Sequence, residues 1–166
     1  MQENEYREKL YSCKNFGDIF ELVKEIVYKK FKKSRGGLSL YLVNAPKYIL
    51  AYHIVGSNLI AINRIILDAL YQITDDIRKI NSYIFVVLLH EYLHSLGIYD
   101  ERLVAKIEFN ICQEFFGEDH ITTQMINKGI LEIFPDLKYL PIKIKIKEGY
   151  ELVRDFDRSS TSKYIF

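Results

Sequence analysis

The chain has 166 residues, 49% of them hydrophobic and 27% charged, with a formal net charge of +1. That composition suits one domain with a sizeable core, is too apolar for disorder, and gives no overall charge to hold a polyanion. The opening MQENEYREKLYSCK is too charged for a secretory leader, and the longest apolar run, Tyr83 to Leu89, is too short to span a bilayer.

Residues 3–12 are weakly amphipathic and predict a first helix. Residues 16–31 predict a second, with Ile19, Phe20, Val23, Ile26 and Val27 at helical spacing. The basic run Lys29 to Arg35 ends that helix as a solvated terminus whose charges complement the dipole, and Gly36-Gly37 breaks the chain. Three β-branched stretches follow, at 38–43, 48–55 and 59–62. Asn44-Ala45-Pro46 and Gly56-Ser57-Asn58 punctuate them, which predicts a small, at least partly antiparallel sheet.

A helix over 64–73 comes next. Thr74-Asp75-Asp76 then reads as an N-terminal cap for a longer helix ending at Gly97, whose start lies either at Asp76 or at Asn81-Ser82. Further helices are expected over 100–116 and 122–134. The alternation Ile142-Lys143-Ile144-Lys145-Ile146-Lys147 predicts a strand with one wet face, and the last ten residues read as loose. Cys13 and Cys112 form no metal-binding pair, which suits reduced thiols in a cytoplasmic protein. The expected organisation is one domain over residues 1–166, with 1–35 as an N-terminal helical extension.

The chemistry concentrates in residues 90–101, HEYLHSLGIYDE. On a helix, His90 and His94 share a face and can aim two imidazoles at one metal ion. Glu91 is rotated off that face, where it can meet a water over the metal without ligating. Two ligands and a general base thus come from little more than one turn. Zinc suits neutral imidazole and lowers the pKa of a bound water to about 7. The preceding turns are apolar all round, so the histidines need partners, either a metal or nearby carbonyls.

Two histidines leave a zinc shell incomplete. Gly97 can adopt positive φ and turn the chain under the helix, and Asp100 stands three residues later. The stretch His90-Glu91-x-x-His94-x-x-Gly97-x-x-Asp100 resembles the metzincin clan of zinc metallopeptidases. That resemblance implies His90, His94 and Asp100 as ligands, Glu91 as general base and one Zn2+ as cofactor. It also implies a methionine turn beneath the metal. Met125 lies downstream, within a stretch, ITTQMINKG, that reads as helical. A gluzincin-like alternative takes its third ligand from a glutamate on the next helix, where Glu101 and Glu108 share a face. His120 is a further candidate.

The expectation is therefore an α+β, zincin-like domain in which a small mixed sheet packs on the HExxH helix, with further helices C-terminal. Its activity would be zinc-dependent hydrolysis of peptide or protein substrates, with no membrane or nucleic-acid partner. A strand edging the cleft, at 48–55 or 59–63, would pair with the substrate. The alternatives are a zinc-binding protein that does not cut, against which Glu91 argues, and a nucleic-acid-associated protein using the 29–35 run. Cys13 as a thiolate capping the zinc is a lesser alternative.

Overall fold

The computed structural model describes residues 2–139 and 147–158. Among them are seven α-helices and a four-stranded mixed sheet: α1 (Gln2–Ser12), α2 (Phe16–Phe31), β1 (Ser39–Val43), β2 (Ala51–His53), β3 (Leu59–Asn63), α3 (Arg64–Ile73), α4 (Ile77–Ser95), α5 (Glu101–Phe116), α6 (Ile121–Lys128), α7 (Ile130–Ile133) and β4 (Glu151–Val153). A 3-10 turn, Pro135–Tyr139, follows α7. The alternating Ile-Lys stretch falls at 142–147, almost wholly outside the described residues.

The sheet order is β2-β3-β1-β4. β1 and β3 pair in parallel, Ser39 opposite Leu59, while β2 runs antiparallel to β3 and β4 antiparallel to β1. Parallel pairs are normally covered on both faces. Ile60, Ala61 and Ile62 are accordingly all fully buried, so 59–62 reads as an unbroken apolar run. β2 forms one edge of the sheet among the described residues.

Helix α4 is the centre of the packing, against α1, α2, α5, α6, β2 and β3. Tyr83, Phe85, Leu88, Leu89, Tyr92 and Leu93 are wholly buried along it, which is why its sequence shows little amphipathic period. It starts at Asp76, whose side chain accepts from Arg78 N–H at 3.0 Å. Asn81, the other candidate start, lies inside the helix. Its Nδ2 donates to the Leu10 and Cys13 carbonyls, satisfying the open end of α1.

Two expectations need correction, and one boundary holds. Helix α2 spans the expected residues 16–31, and Lys32 at φ 57° ends it four residues before the glycines. The predicted 122–134 helix breaks at Gly129, φ 92°, into α6 and α7. The start of the tail is anchored: Asp157 is buried, accepting from Lys24 Nζ at 2.7 Å and from Leu38 N–H at 3.0 Å, and neighbouring Phe156 stacks on Phe20. The basic run is exposed from Lys29 to Ser34, as expected of a solvated helix end, and two of its lysines also find partners. Lys29 donates to the Tyr6 hydroxyl and Lys30 pairs with Glu114.

Arg35, at the end of that run, clamps the sheet to α4. Its backbone N–H donates to the Tyr92 hydroxyl, and its guanidinium to the Ser95 and Ser57 carbonyls. Asn63 shapes the approach to β2 in a similar way. It caps α3 through Oδ1 while Nδ2 donates to the Ala45, Pro46 and Ile49 carbonyls. No described helix is long and apolar enough to cross a membrane.

Candidate metal centre

The last turn of α4 is terminated by a glycine-based Schellman motif. Gly97 takes φ 98°, its N–H donates to the His94 carbonyl, and Ile98 N–H donates to the Leu93 carbonyl. The turn does more than end the helix. It brings the Ile98 carbonyl to 2.8 Å from His94 Nδ1, which must then carry a hydrogen, so Nε2 is the nitrogen turned to the other groups of the site.

His94 Nε2 lies 3.1 Å from His90 Nε2, and both meet one carboxylate, that of Glu101. Glu101 Oε1 is 2.8 Å from His94 Nε2, and Oε2 is 2.9 Å from His90 Nε2. Those three side chains form a metal-competent group, with donor atoms within 4.8 Å of one another. Ligands bonded at about 2.0–2.1 Å in tetrahedral geometry stand roughly 3.3 Å apart, so a small opening would admit zinc. Two imidazoles and a carboxylate suit zinc and leave a fourth position open, the pattern of a catalytic site.

Asp100, expected as third ligand, is turned to another task. Its carboxylate caps α5, accepting from Arg102 N–H at 2.9 Å and Leu103 N–H at 3.2 Å. The helix it starts carries Glu101 to the histidines. Glu108, two turns on, is buried with Oε1 3.2 Å from His90 Nδ1. It is a partner behind the first ligand, on the ring nitrogen that faces away from Glu101.

His120 stands elsewhere. It caps α6, with Nδ1 accepting from Thr122 N–H and Nε2 2.6 Å from the Tyr11 hydroxyl. Met125 is buried within α6 and forms no turn. Cys13 opens onto a different groove, of about 980 Å³ and lined by charged residues of α1 and α2. Burial pushes its thiol up to about 11.

The site's electrostatics follow from this crowding. Burial raises the Glu91 carboxyl to about 7, against the pull of His90 and His94. Burial works against a charged His90, but its bond to Glu108 and the charges of Glu108, Glu91 and Glu101 lift it to about 9. Burial also raises Glu108. Without metal, His90 thus holds a proton at neutral pH where a cation would serve as well, so metal uptake must expel it.

Above the group lies a cleft of about 410 Å³. Residues 48–53 form one wall, and His90, Glu91, His94, Tyr99 and Glu101 the floor and the other wall. Of the two strands considered for the cleft edge, β2 holds that place. Asn63 N–H donates to the Leu50 carbonyl and Ile54 N–H to that of Leu59. Pairs in an antiparallel ladder alternate, so the backbone groups of Ala51 and His53 point away from β3, to the side that no described strand covers. His53, in β2, also lines this cleft. Burial lowers its pKa, and the nearby Arg35 and His94 add to the effect.

The chain matches no family model, no curated protein and no solved structure. Its chemistry is therefore read from the residues that meet at this cleft.

Proposed function

We propose that the chain is a zinc-dependent peptidase of zincin-like architecture, with His90, His94 and Glu101 as ligands and Glu91 as general base. The observation that carries this reading is the convergence of two imidazole Nε2 atoms and one carboxylate beneath a cleft bordered by β2, the edge strand among the described residues. The ligand on the following helix favours the gluzincin-like alternative over the metzincin pattern with Asp100.

A bound zinc supplies a Lewis acid and a water deprotonated near neutral pH. Glu91 would accept the proton of the attacking water and deliver it to the departing amine, the role of a carboxylate placed beside the ligands without ligating. Glu108 and the Ile98 carbonyl hold the two imidazoles in register. β2 aligns an extended peptide through the backbone groups of Ala51 and His53. A purely structural zinc protein has no use for a buried acid beside the ligands, and its sites are usually closed by four protein groups.

The test pairs metal content with turnover. About one zinc per chain is expected by elemental mass spectrometry, with cleavage of unstructured peptides in a mixed library. Glu91→Gln is expected to keep the zinc and lose at least about a hundredfold in kcat. A zinc-loaded wild type that cleaves nothing in the library would remove the peptidase reading.

A further inference from the structure

We infer that His53 selects the substrate, by accepting a hydrogen bond from a donor-bearing side chain of the peptide residue opposite it on the edge of β2. The inference rests on the peptidase reading for the position of the substrate, and deepens it by naming a side-chain class. His53 Nδ1 lies 3.0 Å from the Leu59 carbonyl oxygen. A carbonyl can only accept, so that nitrogen carries the hydrogen and Nε2 of the neutral ring is left with a bare lone pair. Nε2 has no hydrogen-bond partner among the described residues.

Placement makes the lone pair useful. His53 is half-buried and lines the cleft with His90, Glu91 and His94. It is not among the converging donors, which are His90, His94 and Glu101. Its backbone points along an edge of the sheet that no described strand covers, so a peptide pairing with β2 would set one residue directly across from it. Cross-strand partners share a face with Cβ atoms about 4.5–5.5 Å apart, within reach of an imidazole nitrogen.

Threonine, serine, asparagine, glutamine or lysine at that substrate position satisfies Nε2. Valine or leucine strips it of water and returns nothing. Apolar selection comes from elsewhere: Tyr48, Val55 and Tyr99 are exposed around the same cleft. The substrate is thus an extended segment carrying a hydrogen-bond donor at one position among apolar neighbours.

Threonine and valine differ by little more than a hydroxyl, so a peptide set alternating them position by position reads the effect. In the zinc-loaded wild type, one position is expected to favour threonine by about two- to tenfold in kcat/KM, the worth of one neutral hydrogen bond. His53→Gln, which keeps an acceptor, is expected to retain the preference, and His53→Leu to lose or reverse it while still cleaving the valine peptide. Metal-free protein titrated with the same peptides by NMR should show the same ranking in Kd, since pairing with β2 needs no metal. Cleavage with no threonine preference at any position, or a preference that survives in His53→Leu, overturns the inference and leaves the peptidase reading standing. No cleavage, with a His53-dependent ranking in Kd, removes the peptidase reading and keeps the inference. Absence of discrimination in both assays overturns it.

Discussion

Asp100 and Glu101 are adjacent acids with different work, and substitution separates them. Glu101 offers both carboxylate oxygens to the histidines, whereas Asp100 spends Oδ1 on two backbone N–H groups at the start of α5. Glu101→Ala is therefore expected to abolish stoichiometric zinc. Asp100→Ala is expected to keep about one zinc per chain and to lose about 1 kcal/mol of stability in urea, the usual worth of such a cap. Loss of zinc in Asp100→Ala alone would instead make Asp100 the ligand. The histidines and Glu91 were legible from spacing, because four residues on a helix fix a shared face whatever surrounds it. The third partner was not, because the glycine turn permits several exits. A signal was present, since an aspartate directly before a periodic apolar stretch reads as an N-cap, a task that engages one of its carboxylate oxygens.

At the scale of elements, the turn at Gly97 joins helix termination to ligand orientation. An alanine at φ 98° meets no neighbour within 4 Å, so the cost is conformational and not steric. Gly97→Ala is expected to lose about 1–2 kcal/mol of stability in chemical denaturation. It should also weaken zinc by more than that global loss explains, because the Ile98 carbonyl shifts from His94 Nδ1. Zinc affinity unchanged in a destabilised variant would show that the turn only ends the helix. Elements with strong local signals, α2 and α4 among them, were readable in the sequence. Those fixed by distant partners were not. β4 is three residues long and exists by pairing with Leu40, Tyr41 and Leu42. The parallel pairing of β1 with β3 depends on which strand reaches the centre, which residue order alone leaves open. The anchoring of Asp157 depends on Lys24, 133 residues away.

For the whole molecule, the place where the helices meet makes folding depend on pH. His120 lies where α1, α5 and α6 converge: its ring stacks on Phe116, meets the Tyr11 hydroxyl, and takes the Thr122 N–H on Nδ1. A protonated ring would turn Nδ1 into a second donor facing that N–H. Burial, helped by the charge of Arg7, lowers its pKa from 6.5 to about 4. Between those values the unfolded chain binds a proton that the folded chain refuses, so stability rises with pH across the window. The contribution is intact above about 6.5 and is lost as pH falls toward 4, reaching about 3 kcal/mol in full. His120→Asn keeps a capping side chain at α6 without the titrating ring. In urea unfolding at pH 7.5 and 4.5, the wild type is expected to lose about 2.5 kcal/mol more than His120→Asn between the two conditions. Every other group is common to both proteins and cancels in the difference. Equal losses would mean that the folded chain accepts the proton, and the contact of α1 with α6 would then have to open to admit it.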